Sequence, residues 1–368
     1  MAADRFGTYV GGGITLYWSD MLGDHNLVTM VQVNGRIGDF AALVGYQNRR
    51  RRLNWSVGAQ QIPYINGYYA NGFDASGNYV EVIERFKQTS REVVGVMAYP
   101  FNRSFRLEAS ASAQQISYSD EIQKIGYDIN RGGAVIYDST IHNPVPSALG
   151  LGGVTLAFVR DNSFFGATGP ILGDRWRLEA DPTFGTLNFV TGLLDYRKYV
   201  MPVRPFTLAG RFLGIGRFGK DGDDPRMYPM YIGYPSLIRG YDMGSFSPNE
   251  CPSNTPTCPV FDDLFGSRIA VASLELRFPP FGILHAGGGY YGILPIDAAI
   301  FYDAGVAWTS AEGAQIFGTR GGRPVYRSAG VTFRMNLLGF AIGQMDVVHP
   351  FNRPQKDWMV RFSLTQAY

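Results

Sequence analysis

The sequence is poor in charged residues. Only 17% of its 368 residues are Asp, Glu, Lys or Arg, whereas about 25% is usual for soluble domains. No apolar run in the chain reaches the roughly 18 residues that a membrane-spanning helix needs. Aromatic residues make up 14% of the chain, and 46 residues are glycine. These values disfavour a soluble helical enzyme and indicate a surface that faces something other than water.

The motifs of common enzyme chemistry are also missing. The chain has no Gly-x-Ser-x-Gly, no His-Glu-x-x-His and no phosphate-binding loop. Its histidines show no ligand spacing and are His25, His142, His285 and His349. We therefore expect no enzyme activity, no cofactor and no metal site. The net charge of +2 gives no reason to expect a nucleic-acid partner.

Cysteine is almost absent. Cys251 and Cys258 flank the turn-forming stretch Pro-Ser-Asn-Thr-Pro-Thr, so they can close a small loop without moving strands. We predict a disulfide in an exported loop, because the cell envelope is oxidising. Two free surface thiols are the alternative.

Alternation of apolar and polar residues is the main pattern that is present. Between Phe105 and Ala113 the odd positions are apolar and the even ones polar, and the last segment alternates Trp358, Val360, Phe362 and Leu364 with polar neighbours. This pattern is typical of strands with one apolar face. The apolar face could lie inside a soluble sandwich or outside a membrane barrel.

The number and length of the candidate strands favour the barrel. Many have ten or more residues, whereas strands in soluble sheets usually have about 5–6 and membrane strands need about 9–11. The predicted strands cover residues 5–18, 26–36, 38–48, 52–62, 77–86, 90–99, 103–118, 149–160, 171–181, 184–199, 203–217, 267–279, 296–308, 324–336, 339–349 and 357–368. We therefore predict an all-β fold, a single membrane-spanning antiparallel up-and-down β-barrel of about sixteen strands over residues 1–368. Its apolar side chains should point outward and its ionic side chains inward.

The connections predict which side of the membrane each turn occupies. An even number of strands places both termini on the periplasmic side, together with short turns such as 99–103 and 199–203. Long loops at 120–148 and 219–267 should then lie outside the cell. The connection 63–78 departs from this pattern, because it is long yet falls on the periplasmic side.

Three segments in order carry a family resemblance. Ile238-Arg239-Gly240-Tyr241 follows the eleventh predicted strand, Glu275 lies in the next strand, and Phe301-x-Asp303-x-Gly305-x-x-Trp308 forms the one after it. They resemble the loop tip and the following two strands of barrels in the BamA/TamA superfamily of bacterial surface antigens and outer-membrane assembly factors. The predicted strands of the entire chain fit this family barrel. The resemblance implies a Gram-negative outer-membrane barrel that acts in protein insertion or translocation, with its long loop folded into the lumen.

The chemistry of these residues is consistent with that role. Strand phase places Glu275 and Asp303 on the polar face, and a guanidinium offers a planar fork of donors that could reach both carboxylates. Gly240 permits a close backbone approach or a positive φ. The resemblance implies that a contact among the following residues pins the loop inside the barrel: Arg239, Gly240, Tyr241, Glu275, Asp303 and Gly305. The alternative is a set of ordinary charged residues in a wet lumen.

Two further features suggest functional surfaces. Gly11, Gly12 and Gly13 weaken the first strand, and the resemblance implies a seam there with the last strand, which contains Phe362 and Tyr368. We hypothesise that this seam opens to template or release a client strand, while a simple bend in the barrel is the alternative. The predicted outer hairpin between the third and fourth strands contains four adjacent arginines, Arg49, Arg50, Arg51 and Arg52. Their guanidinium groups suit the phosphates of lipopolysaccharide. A solvated basic turn is the alternative.

The sequence thus predicts an outer-membrane barrel in contact with lipids and lipopolysaccharide. Because we expect no periplasmic transport-associated repeats in this chain, a periplasmic partner would have to collect client proteins. The alternative function is a passive anchor for a separate N-terminal domain, or a pore for small solutes. A soluble secreted β-protein is a third interpretation, which the apolar faces of the predicted strands disfavour.

Overall fold

The structure is a computed structural model. It describes residues 2–4, 7–35, 39–251, 258–315, 322–353 and 356–366. By its contacts the chain divides into two compact units. The first unit consists of Met1–Pro100, Glu108–Thr155 and Pro182–Asn188, and the second of Phe101–Leu107, Leu156–Asp181 and Phe189–Tyr368.

The described residues form an all-β fold. The strands are β1 (Ala2–Asp4), β2 (Gly7–Ser19), β3 (His25–Gly35), β4 (Phe40–Asn48), β5 (Asn54–Phe73), β6 (Tyr79–Pro100), β7 (Phe105–Asp128), β8 (Ala134–His142), β9 (Leu149–Asp161), β10 (Phe164–Phe165), β11 (Pro170–Gly185), β12 (Phe189–Val203), β13 (Phe206–Phe218), β14 (Met230–Tyr231), β15 (Phe265–Gly266), β16 (Arg268–Phe278), β17 (Ile296–Trp308), β18 (Tyr326–Leu337), β19 (Ala341–Pro350) and β20 (Met359–Gln366). The helices are α1 (Pro259–Asp262), α2 (Pro280–Ile283) and the 3₁₀ turns Ile129–Arg131, Met243–Ser245 and Pro248–Glu250. None of the described helices combines the length and the apolar character that a bilayer crossing requires.

In the first unit, consecutive strands pair antiparallel. Hydrogen-bonded ladders join β2 to β3, β3 to β4, β4 to β5 and β5 to β6, and another joins β7 to β8. The β5–β6 ladder runs from the pair Asn54 and Ala98 to the pair Phe73 and Tyr79. These strands are 20 and 22 residues long, about twice the length that a bilayer crossing needs.

The second unit contains a continuous antiparallel series. The order is β12, β13, β16, β17, β18, β19 and β20, with each strand paired to the next. The connection between β13 and β16, residues 219–267, is called the long loop below. It contains the small β14–β15 pair and α1.

The strands of the second unit have apolar exposed faces and ionic buried faces. On β17 the side chains alternate, so that Ile300 is 55% exposed and Asp303 is 0% exposed. On β16, Leu274 and Leu276 are exposed on either side of the buried Glu275. This arrangement is the reverse of a water-soluble sheet and agrees with the predicted inversion, apolar side chains outward and ionic ones inward.

Two of the predicted strands are wrong. Residues 77–86 and 90–99 form the single strand β6, and the predicted connection 63–78 is largely the continuation of β5 to Phe73. The predicted loop 120–148 likewise contains the end of β7 and all of β8. Backbone pairing continues in these segments although their polar residues interrupt the apolar alternation, because ladder hydrogen bonds do not require apolar side chains.

The exposed apolar face leads to a prediction. Ile300→Arg at the middle of β17 is expected to lower the free energy of unfolding in lipid vesicles by about 2–4 kcal/mol, because it places a charge in hydrocarbon. Leu338→Arg is the matched control, since Leu338 is 92% exposed in the turn between β18 and β19 and should cost only about 0–1 kcal/mol. Denaturant titration measures both. Equal, small losses would mean that the face contacts water.

Candidate functional site

The long loop folds back against the strands of the second unit. Its residues Ile232, Ile238, Tyr241 and Leu264 are each 0% exposed. They share one hydrophobic cluster with side chains from β13, β16, β17 and β18, namely Leu213, Ile269, Val271, Ala307 and Tyr326. This packing places the segment around Arg239, the loop tip, next to the buried face of the strands.

Arg239 is the centre of a buried ionic network. Its Nε and Nη2 donate to the two carboxylate oxygens of Asp303 at 2.7 and 2.8 Å. Its Nη1 donates to Glu275 at 2.8 Å and to the hydroxyl of Thr332 at 3.1 Å. The guanidinium carbon lies 3.4 Å from the ring centroid of Phe301. A single side chain from the loop therefore contacts the neighbouring strands β16, β17 and β18.

Strand register explains why these groups meet. Glu275 pairs with Phe301 and Ser273 pairs with Asp303, so the two carboxylates are diagonal neighbours on one face of the sheet. The Ser273 hydroxyl also donates to Asp303 at 2.6 Å. The structure thus brings together the loop arginine and both carboxylates that the sequence analysis singled out.

The two carboxylates have unequal support. Glu275 also accepts hydrogen bonds from Arg277 at 2.7 Å and from Arg334 at 2.9 and 3.0 Å. Asp303, by contrast, has Arg239 as its cationic partner. Loss of Arg239 would therefore affect Asp303 more than Glu275.

Electrostatics favour the charged form of the loop arginine. Burial alone would lower the pKa of Arg239, but hydrogen bonding to Asp303 and the charge of Glu275 raise it above its ordinary value. Arg239 therefore carries its positive charge in this contact.

Two glycines allow the tip to approach the strands. Gly240 has a φ of +89°, which a residue with a side chain rarely adopts. A Cβ added at Gly305 would lie 2.4 Å from Cδ1 of Ile238. Larger residues at position 305 would push the loop away from β17, so Gly305 provides the space for the tip.

Tyr241 fastens the other side of the tip. Its hydroxyl donates to the carbonyl oxygen of Arg327 at 2.7 Å and accepts from the backbone N–H of Asn352 at 3.1 Å. Its ring makes an edge-on contact with Tyr326, with 5.4 Å between centroids. Burial raises the pKa of Tyr241 to about 12, so the hydroxyl keeps its proton near neutral pH.

Sequence reasoning missed a second buried arginine, Arg353. It lies between β19 and β20, and its side chain is 0% exposed. It donates to both oxygens of Glu250 at 2.8 Å, to the Gly240 carbonyl at 2.8 Å and to the Ser245 carbonyl at 2.9 Å. Its guanidinium carbon lies 4.0 Å from the ring centroid of Phe246. The surrounding sequence, Pro-Phe-Asn-Arg-Pro, is typical of an ordinary turn and contains no signal for this role.

Glu250 is ionised in this contact. Burial would raise the pKa of Glu250, but hydrogen bonds from Arg353 and from the Ser247 backbone hold it below its usual value. A carboxyl whose pKa is lowered in the folded state contributes stability above its unfolded pKa, and this contribution is lost as the pH falls through the folded value. The contact therefore persists at neutral pH and weakens only in acid.

The arginine-rich turn lies beside the turn that follows β6. Arg52 donates to the Pro100 carbonyl at 3.0 Å and lies 4.8 Å from the ring centroid of Tyr99. The prediction that residues 49–52 and 99–103 lie on opposite sides is wrong, because two predicted strands merge into β6 and this removes one crossing. The four arginines are exposed. Their contact with lipopolysaccharide stays a prediction.

The remaining predicted site residues are placed as follows. Gly11, Gly12 and Gly13 lie in β2, where Gly13 pairs with Gln32, and Phe362 lies in β20 and is 78% exposed. Tyr368 lies outside the described residues. Cys251 and Cys258 are joined by a disulfide.

Comparisons with known proteins identify the family. The Omp85 superfamily domain matches residues 44–366. A search of curated protein sequences returned no match.

Two solved structures share the fold. BamA from Haemophilus ducreyi lacking POTRA domains 1–3 is 13% identical with a TM-score of 0.54, and the match covers 98% of this chain and 71% of that chain. CdiB from Acinetobacter baumannii is 13% identical with a TM-score of 0.55, covering 97% of this chain and 56% of that chain. The resemblance to the BamA/TamA superfamily is therefore confirmed. With its family domain extending over most of its length, the chain belongs to the Omp85 superfamily.

Proposed function

We propose that this chain is a closed β-barrel in the outer membrane of a Gram-negative bacterium and acts in the insertion or translocation of proteins. It would do so as the barrel part of a larger protein or complex, with a periplasmic partner that delivers client chains. Family membership and the exposed apolar faces of the strands support the membrane location.

The observation that carries the proposal is the buried contact of Arg239 with Asp303 and Glu275. In a closed barrel this contact would place the long loop in the lumen. A plugged lumen suits a barrel that must hold back small solutes while it handles a polypeptide. It is a poor design for an open solute pore, since the loop would occupy the path of the solute.

A weak seam would supply the site of action. The glycines at 11–13 reduce side-chain packing in β2, and the last described strand, β20, carries the exposed Phe362. We infer that these two strands meet and part to admit client strands. A disulfide engineered between them should abolish activity in cells, and a reducing agent should restore it. Undiminished activity of the cross-linked protein would rule out the seam.

The central ionic contact leads to a stability prediction. Arg239→Ala should lower the free energy of unfolding in vesicles by about 3–5 kcal/mol, because it leaves the buried Asp303 carboxylate without a cation. Addition of Asp303→Asn to this variant should recover part of the loss. Arg277→Ala is the matched control and should cost less, since Glu275 keeps Arg239 and Arg334. Equal effects of the two arginine variants would contradict the central role of Arg239.

The function itself is tested in cells and in planar bilayers. Deletion of the gene should reduce a set of assembled outer-membrane or secreted proteins, and the wild-type protein should restore them whereas the Arg239→Ala protein should not. In bilayers, the wild type should show small, flickering currents. A large steady conductance together with an unchanged outer-membrane proteome would instead identify a passive pore or anchor.

A further inference from the structure

The connection between β19 and β20 is hydrogen-bonded to the long loop between Gly240 and Glu250. Arg353 holds the carbonyl of Gly240 at the tip and the carbonyl of Ser245 in the 3₁₀ turn that follows. It also holds Glu250, at the end of the next 3₁₀ turn, through both carboxylate oxygens. One guanidinium therefore fixes the loop at three points along eleven residues of chain, from Gly240 to Glu250.

A second cation from the same connection reinforces this contact. The Lys356 ammonium lies 3.8 Å from a Glu250 oxygen and donates to the Ser247 hydroxyl at 2.8 Å. The backbone N–H of Ser247 donates to Glu250 at 2.8 Å. The carboxylate is thus satisfied by groups on both sides of the interface between loop and connection.

The last strand is also tied directly to the tip. Arg361, in β20, forms an ion pair with Asp242, which follows the tip by one residue. Within four residues the loop therefore reaches β16, β17 and β18 through Arg239 and β20 through Asp242.

We propose that Arg353 is a positioning residue that couples the location of the long loop to that of β20, so that the loop cannot leave the strands without loosening the last strand. This inference rests on the proposed function, in which the loop occupies the lumen. Arg353 is then a second attachment of the loop besides Arg239, and the β19–β20 connection links the position of the loop to that of the C-terminal strand.

The donor geometry favours positioning over simple ion pairing. An arginine that only neutralised Glu250 would need two of its donors, whereas Arg353 also uses donors on the Gly240 and Ser245 carbonyls. Backbone carbonyls define the path of the chain, so these bonds set where the tip lies. A lysine, with a compact ammonium in place of a planar fork, cannot occupy all of these acceptors.

Hydrogen exchange measured by mass spectrometry on the full chain in lipid nanodiscs tests the coupling. In Arg353→Ala, exchange of the amides of Ser245, Ser247 and Glu250 should accelerate about tenfold or more, the effect of losing a charged hydrogen-bond donor. The amides of β20 should accelerate with them, while those of β17 around Asp303 should not. Arg353→Lys should give an intermediate result.

Three further variants make the test decisive. Arg226→Ala is the matched control, because this arginine of the same loop bonds to the nearby Asp224, and it should leave β20 unchanged. The exchanged pair Arg353→Glu with Glu250→Arg restores the ion pair but not the bonds to both carbonyls, so exchange should stay fast. Glu250→Gln keeps the shape of the side chain and should loosen the loop even if Arg353→Ala does not fold.

The outcomes separate clearly. Acceleration confined to the loop, with β20 unaffected, would overturn the coupling, and full recovery by the exchanged pair would reduce Arg353 to an ion-pair partner. Hydrogen exchange needs no client protein, so a failure of the proposed function in cells would leave this result unchanged.

Discussion

A buried guanidinium between two carboxylates is the interaction on which the second unit depends. Taking these charges out of water is costly, and the cost is recovered only when all partners are in place with good geometry. Asp303 is 0% exposed and its cationic partner is Arg239, so a loop displaced by a few ångströms would leave a buried charge uncompensated. The contact therefore specifies one position of the loop more than it adds net stability.

The same alternation that creates this buried face also creates the apolar exposed face. Along β17, Phe301, Asp303 and Gly305 share the buried side, and Ile300 and Tyr302 share the exposed side. A shift of one residue in register would place Asp303 among apolar surroundings and Tyr302 against the loop. The register of β17 thus determines both where the loop can dock and which side chains form the apolar surface.

Much of this site could be predicted from the sequence, because it depends on period-two phase and short motifs. Phase alone placed Glu275 and Asp303 on one face, and the Arg-Gly pair of the tip indicated a close approach. The strand count was less predictable. The polar stretch around Lys87 and Thr89 interrupts the apolar alternation in the middle of β6. Such a break in the side-chain pattern predicts the end of a strand, although the backbone pairing continues through it.

Arg353 could not have been found in this way, for a physical reason. Its partners are backbone carbonyls and a glutamate more than a hundred residues away in the chain, and nothing in a turn sequence encodes such long-range geometry. Once the fold is known, its burial is informative, because a guanidinium with 0% exposure is costly to bury unless its donors are satisfied. The oxygen atoms that accept its hydrogen bonds all belong to the long loop. Arg239 contacts β16 to β18, whereas Arg353 and Arg361 contact the loop from the connection and the strand that follow β19, so the loop joins the middle of this strand series to its last strand. A force that moves the tip must then act on β20 as well, which makes the loop and the last strand one mechanical element.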